Sequence, residues 1–135
     1  MERPPRVFVS YARSDDPYYR DLLKAWGATE QVELSFPHDD VGSPTMGAEW
    51  SKAQIARGLE EAQVLLVLVG ARTKDDEWVN WEIDQAKAIG LRLAAVKLSP
   101  SNSSPPGLIG AGTAWANSFK RSRIMDALRS AVSNG

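Results

Sequence analysis

The sequence contains no cysteine and only one histidine, His38, among its 135 residues. Without cysteine there is no disulfide framework, no thiolate nucleophile and no cysteine-ligated zinc site. A single histidine also argues against a histidine-based metal centre. A chain of this length can bury a core without disulfides or a metal. We therefore expect one domain over residues 1–135 whose chemistry uses neither a metal nor a thiol.

Neither sign of charge predominates, and no hydrophobic run is long. The 16 basic and 17 acidic residues give a net charge of -1, which does not favour a surface for nucleic acid or anionic lipid. The longest apolar run, Val64 to Ala71, is far shorter than the roughly 20 residues that span a membrane. The amino terminus is charged and lacks the apolar segment of a secretory signal. These features predict a cytoplasmic protein without nucleic-acid or membrane partners.

Hydrophobic periodicity predicts strands and helices that alternate along the chain. The predicted strands are Arg6 to Ser10, Gln31 to Phe36, Gln63 to Gly70, Arg92 to Leu98 and Thr113 to Ala116. The predicted helices are Pro17 to Trp26, stopped by Gly27, then Trp50 to Glu61, Trp78 to Ile89, ended by Gly90, and Phe119 to Val132. The continuous apolar run of the third strand is typical of a central parallel strand covered on both faces. With right-handed crossovers, this order predicts a flavodoxin-like, doubly wound parallel α/β sheet with strand order 2-1-3-4-5.

Two segments have the composition of loops. Pro37 to Gly47 is rich in Pro, Gly and Asp. It is long for a strand-to-helix connection, which usually takes about 2 to 6 residues, and this length favours a functional loop. Ser101 to Gly112 is rich in Ser, Pro and Gly, and we expect it to be an irregular surface loop.

The third predicted helix carries a carboxylate, Glu82, near its apolar face. That face consists of residues at helical spacing, namely Val79, Ile83, Ala86 and Gly90. Glu82 lies roughly 70° from the centre of this stripe, and Trp78, one turn earlier, falls on the same side. A partly desolvated carboxylate suits proton transfer or the stabilisation of a nearby positive charge, and open α/β sheets bind ligands at the strand ends where this helix begins. From spacing alone, a surface Glu82 paired with a base such as Arg13 is the simpler interpretation.

Four segments of the chain, taken in order, match the motifs of one known family. They are Val7 to Tyr11, Val32 to Phe36 with the following loop from Asp39 to Gly47, Ala62 to Val69, and Trp78 to Glu82. With them the sequence resembles the Toll/interleukin-1 receptor (TIR) domains, and within these the short bacterial TIR-like proteins of the Thoeris anti-phage type. The segments are similar to the family's first strand, second strand and BB loop, third strand, and Trp-x-x-x-Glu motif. The chain beyond Pro100 departs from the family pattern.

This resemblance implies an NAD⁺ glycohydrolase or cyclase that breaks the bond between nicotinamide and ribose, with NAD⁺ as substrate and no cofactor. By motif position, Glu82 would be the catalytic carboxylate. The expected NAD⁺-binding residues are Ser10, Tyr11, Arg13, Asp39, Asp40, Trp50 and Trp78. The first three would face the pyrophosphate or the nicotinamide, and Trp78 would stack on the ring or support the site. The family likeness also implies an ADP-ribose or cyclic ADP-ribose product sensed by a separate effector protein.

Other functions compete with this one. A non-catalytic TIR module would instead assemble with itself or with a partner through the loop from Pro37 to Gly47. A nucleoside deoxyribosyltransferase-like enzyme would also break N-glycosidic bonds with a carboxylate. A phosphorylation-dependent receiver domain needs an Asp after the third strand, where this chain has Gly70 and Ala71. A flavodoxin-like FMN site is disfavoured by Asp15 and Asp16, which follow the first strand where a phosphate cradle would lie.

Overall fold

The computed structural model describes residues 5–12, 17–29, 32–36 and 48–133. Its strands are Arg6–Ser10 (β1), Glu33–Ser35 (β2), Val64–Val69 (β3), Arg92–Lys97 (β4) and Ala114–Ala116 (β5). Its α-helices are Pro17–Thr29 (α1), Ala48–Glu61 (α2), Glu77–Ala88 (α3) and Arg121–Ser133 (α4). Short 3-10 helices span Thr73–Asp75 and Pro106–Leu108.

The strands form one parallel sheet in the order β2-β1-β3-β4-β5, which confirms the predicted fold class and strand order. From β1 the chain proceeds to β2 on one side, whereas β3, on the other side of β1, is followed by β4 and β5. The strand order therefore reverses between β1 and β3. In open α/β sheets this switch point, at the carboxyl ends of the strands, is where ligands bind.

Alternating strand residues face two hydrophobic clusters, one on each side of the sheet. On one side, Val7 and Val9 of β1 pack with residues of α1 and α4. On the other side, Phe8 packs with residues of α2 and α3. Every residue of β3 is buried, as its apolar run predicted, because helices cover both faces of this central strand.

Helix α1 does not stop at Gly27 as predicted but continues to Thr29. A Cβ atom at Gly27 would lie only 2.6 Å from Cδ1 of Leu34. This glycine therefore permits a close approach of α1 to the edge strand β2, and it is not a helix terminator. Among the described residues of the predicted second strand, Glu33–Ser35 pair with β1.

The segment from Ser101 to Gly112 lies largely at the surface, as its composition predicted, but it is not wholly irregular. It contains the 3-10 helix Pro106–Leu108, and the Leu108 side chain is buried in the cluster beneath α2 and α3. The Lys87 ammonium of α3 donates a hydrogen bond to the Gly107 carbonyl at 3.2 Å. A Cβ atom at Gly107 would lie 2.8 Å from Cγ2 of Ile83. The segment thus packs against α3 beside Ile83, and the absent side chain of Gly107 makes room for this contact.

We expect Gly107→Ala to lower the free energy of unfolding by about 1–3 kcal/mol, the usual cost of overpacking. The reason is that Ile83 is fully buried on a helix, where a β-branched side chain has little rotamer freedom. Urea titration of the purified variants measures the change.

The expected clash in Gly107→Ala is with Cγ2 of Ile83, so substitutions of Ile83 that remove or keep this atom provide the control. Ile83→Leu removes Cγ2 and should restore part of the lost stability in the Gly107→Ala background. Ile83→Val keeps Cγ2 and should restore none. Equal behaviour of the two double variants would contradict the proposed contact.

Candidate active site

Helix α3 has a defined start and a defined end. Its N-cap is Asp76, whose Oδ1 accepts a hydrogen bond from the Val79 amide at 2.9 Å. At the other end, Gly90 has a φ of 79°, and the amides of Gly90 and Leu91 donate to the Lys87 and Ala86 carbonyls at 3.2 and 2.9 Å. This is a Schellman motif, which confirms the predicted role of Gly90. The caps fix the segment that carries Glu82.

We expect Asp76→Ala to destabilise the protein by about 1 kcal/mol, because the variant loses an N-cap hydrogen bond. Asp76→Asn keeps a side-chain oxygen at the same place and should retain most of the stability. The free energy of unfolding in urea distinguishes the two variants. The exposed neighbour Asp75 provides the control, and a loss as large in Asp75→Ala as in Asp76→Ala would contradict the capping role.

Glu82 is completely buried, which goes further than the partial burial that its helical position predicted. Its Oε1 accepts a hydrogen bond from the Ser10 hydroxyl, with 2.7 Å between the two oxygens. Ser10 is also completely buried. An ionised carboxylate in such a place is costly unless polar groups hold it, and a short bond from a hydroxyl is one of the stronger ways of doing so.

The Ser10 contact places Glu82 at the switch point of the sheet. Ser10 is the last residue of β1 and pairs with Val67 of β3, so the bond forms beside the carboxyl end of β1. The Ser10 side chain points to the side of the sheet covered by α2 and α3, because Phe8, two residues earlier on the same strand, packs on that side. The structure therefore brings Ser10 and Glu82 together where ligands bind in sheets of this class.

Tyr11, a predicted substrate-binding residue, lies on the other side of the sheet. Its side chain belongs to the cluster with Leu23 of α1 and Phe36, and it is nearly buried there. The Arg20 guanidinium donates to the Tyr11 hydroxyl at 3.5 Å and lies 5.9 Å from the ring centroid. The structure does not bring Tyr11 to the Glu82 carboxylate.

Two tryptophans precede Glu82 on α3. Trp78 and Trp81 are half-buried and meet edge to face, with ring centroids 5.9 Å apart and planes at 83°. The Lys52 ammonium of α2 lies 5.7 Å from the Trp81 centroid, at a distance typical of a cation–π contact. The aromatic pair thus lies on the side of α3 that is next to α2. Of these two, only Trp78 was among the expected NAD⁺-binding residues.

The remaining predicted site residues have no described side chain. Arg13, Asp39 and Asp40 lie outside the described residues, as does the loop from Pro37 to Gly47. Trp50 belongs to the first turn of α2, but its side chain is likewise not described. Their roles in binding stay predictions.

Two polar residues, Thr73 and Asn102, form hydrogen bonds at the carboxyl end of β3, and no sequence motif pointed to either of them. The buried hydroxyl of Thr73 accepts from the Gly70 amide at 2.8 Å and donates to the Leu68 carbonyl at 3.1 Å. The Asn102 side chain donates to the Val69 carbonyl at 2.9 Å, although it comes from a segment 33 positions further along. These hydrogen bonds pair the backbone amide and carbonyl groups at the carboxyl end of β3, next to the switch point.

The described residues contain no group of three or more His, Cys, Asp or Glu side chains that could hold a metal ion. Among the helices in the described part of the chain, none combines the length and the apolar character needed to cross a lipid bilayer. The single histidine, His38, lies outside the described ranges.

The fold and the site together define a class: a doubly wound, flavodoxin-like α/β domain with a buried carboxylate at its switch point. Residues 8–103 match the model of one family within this class, the TIR-like domain of the Thoeris protein ThsB. Because the match covers most of the chain, this protein belongs to the family of Thoeris ThsB TIR-like domains.

Solved structures share the whole fold at low sequence identity. One is a CMP N-glycosidase from Clostridium botulinum, BcmB, with a TM-score of 0.63 and 12% identity over 92% of this chain and 98% of that one. Another is a prokaryotic SEFIR domain, with a TM-score of 0.62 and 12% identity over 95% of this chain and 98% of that one. No curated protein matches the sequence. At this identity the likeness shows the fold alone.

Proposed function

We propose that this protein cleaves the bond between nicotinamide and ribose in NAD⁺, with Glu82 as the catalytic carboxylate. The observation that carries the proposal is the complete burial of Glu82 at the switch point, where Ser10 holds it by a 2.7 Å hydrogen bond. Membership of the Thoeris ThsB family supports the same activity. Buried charges are costly, and a protein retains them chiefly where they serve a function.

In the proposed reaction, the C1′–N bond breaks and nicotinamide leaves as a neutral base with the bonding electron pair. Positive charge then develops on the ribose, as in other reactions with an oxocarbenium-like transition state. The Glu82 carboxylate stabilises that charge directly, and it does so strongly because water is excluded from its surroundings. Water then adds to C1′ and loses a proton to give ADP-ribose, or the adenine of the same molecule attacks to give a cyclic isomer.

The other expected binding residues surround this reaction in the proposal. Trp78 supports the nicotinamide end, whereas Arg13, Asp39 and Trp50 contact the rest of the dinucleotide. NAD⁺ is the substrate, and no further cofactor takes part. Self-association through the loop from Pro37 to Gly47, and an effector protein that senses the product during phage infection, complete the proposed defence role.

The experiment is incubation of the purified protein with NAD⁺, with nicotinamide and the nucleotide products separated by liquid chromatography. It is run over a range of protein concentrations and in extracts of phage-infected cells, because assembly or infection can supply the trigger. We expect equal amounts of nicotinamide and of ADP-ribose or its cyclic isomer. No nicotinamide release under any of these conditions would contradict the proposal and favour the non-catalytic module.

A second candidate substrate is a pyrimidine nucleotide, since BcmB is named for its action on CMP and shares the fold. The same chromatographic assay with CMP and with deoxynucleosides tests it. Release of free base from these compounds, together with intact NAD⁺, would replace the proposed substrate and keep Glu82 as the reactive carboxylate.

A further inference from the structure

We propose that Ser10 is a positioning residue that holds the Glu82 carboxylate in its reactive orientation and thereby sets the rate of the chemical step. This inference rests on the proposed function and gives Ser10 a different role from the substrate contact that its sequence position suggested. The inference has three requirements. The Ser10 hydroxyl must donate its hydrogen to Glu82, and the Ser10 side chain must be held in a fixed position. The orientation of the Glu82 carboxylate must also affect the rate of the reaction.

The hydroxyl is committed to the carboxylate by its own chemistry. A serine hydroxyl has one hydrogen to donate, and here that hydrogen goes to Glu82 Oε1 over 2.7 Å. A pyrophosphate oxygen needs a donor, so the same hydroxyl cannot serve it while the bond to Glu82 exists.

The hydroxyl is held rigidly because β1 lies between two partner strands. Phe8 of β1 is in register with Ser35 of β2 and with Leu65 of β3, and Ser10 itself is in register with Val67. β1 is therefore paired on both sides up to Phe8, and β3 continues the pairing to Ser10 itself, which holds the Ser10 oxygen in place at the end of the strand. Glu82, in contrast, has a long side chain on a helix, with three rotatable bonds before its carboxyl group. The bond from the sheet to the helix therefore selects one orientation of a flexible group.

Carboxylate orientation matters because electrostatic catalysis requires the charged group to be in place before the reaction. A catalytic group that departs by more than about 0.5 Å or 10–20° from its productive geometry loses much of its effect. Removal of one hydrogen bond to a charged group corresponds to a change of about 10- to 100-fold. We therefore expect loss of the Ser10 donor to lower kcat by that factor and to leave KM nearly unchanged, since the substrate still binds.

The experiment compares kcat and KM for NAD⁺ in wild type, Ser10→Cys and Ser10→Thr. Cysteine has nearly the volume of serine but is a weak donor, so Ser10→Cys should fold and show the 10- to 100-fold loss of kcat. Threonine keeps the hydroxyl, and Ser10→Thr should recover at least a third of the wild-type kcat. Ser35→Ala, at an exposed position of the edge strand β2, is the matched control and should behave as wild type.

A second measurement needs no substrate. The ¹³C chemical shift of the Glu82 carboxyl carbon, assigned by its loss in Glu82→Gln, should differ between wild type and Ser10→Cys and should return toward the wild-type value in Ser10→Thr. An unchanged shift in Ser10→Cys overturns the positioning role, as does a rise in KM with unchanged kcat, which would make Ser10 a substrate contact. Failure of the proposed function is a separate result, because wild type itself would then release no nicotinamide.

Discussion

Glu82→Gln is expected to lower kcat for nicotinamide release from NAD⁺ by about a thousandfold, because removal of one preorganised electrostatic contact to a transition state has an effect of this size. Glutamine has the shape of glutamate but no charge. It loses the attraction to the positive ribose that develops in the transition state, whereas the uncharged contacts of the ground state remain. The loss should therefore fall on kcat, with little change in KM.

The same substitution should leave the fold intact. The amide oxygen of glutamine can still accept the hydrogen bond from Ser10, so the link between α3 and β1 is retained. The substitution also removes a formal charge from a completely buried position, which relieves part of the cost of desolvation. The free energy of unfolding in urea should accordingly not fall below that of wild type by more than about 1 kcal/mol, which is the usual worth of one hydrogen bond.

The control for Glu82→Gln lies on the same helix. Asp84 is exposed on α3, and Asp84→Asn removes a carboxylate two residues away without touching the buried site. It should keep at least half of the wild-type kcat. If Glu82→Gln retained wild-type activity, or if Asp84→Asn lost as much, then the buried carboxylate would not be the catalytic group.

Phe8→Ala is expected to have the largest effect on stability, a loss of about 3–5 kcal/mol in the free energy of unfolding. Phe8 is a completely buried side chain in a strand paired on both sides, and it packs in the cluster beneath α2 and α3. Its removal loses the hydrophobic transfer energy of the ring and leaves a cavity that flanking strands cannot close. Since domains of ordinary size are stable by only about 5–15 kcal/mol, the variant should be close to unfolding at 37 °C.

Chemical denaturation at 25 °C, followed by the fluorescence of the tryptophans, measures the loss in Phe8→Ala. Ile109→Ala is the control, because the Ile109 side chain is 69% exposed and its truncation should change the stability by no more than about 0.5 kcal/mol. A loss below about 1 kcal/mol in Phe8→Ala would mean that the core is not organised around β1 as described.

The elements that could be predicted from sequence are those with a local signal. The apolar run of β3 predicted a central strand, and the alternation of strands and helices with right-handed crossovers favoured a doubly wound sheet, for which the order 2-1-3-4-5 was the preferred choice. Gly90 marked the end of α3 correctly, because a positive φ at that point is a local requirement. The prediction that Gly27 ends α1 was wrong, because this glycine is required by a contact with another element. It permits the close approach of α1 to Leu34 of β2.

The site could be predicted only in part, because its critical contacts join distant segments. Helical periodicity gave the angular position of Glu82 but not its depth, which depends on how closely α3 approaches β1. Successive side chains of a strand point to opposite faces of the sheet, so the alternation alone places Ser10 on the α3 side and Tyr11 on the other side. The family resemblance instead assigned both residues to the same binding site. No local sequence pattern could predict that Asn102 binds the end of β3, because its hydrogen-bond partner, the Val69 carbonyl, lies 33 positions earlier.

The bond between Ser10 and Glu82 also ties the proposed activity to the completion of folding. The two residues are 72 positions apart, so the bond needs β1 and α3 to be assembled against each other. A contact of such high sequence separation forms only once the entropy cost of closing the intervening loop has been overcome. A nascent or partly folded chain, in which α3 has not yet docked on β1, holds no oriented carboxylate. The proposed activity therefore requires β1 and α3 to be packed against each other.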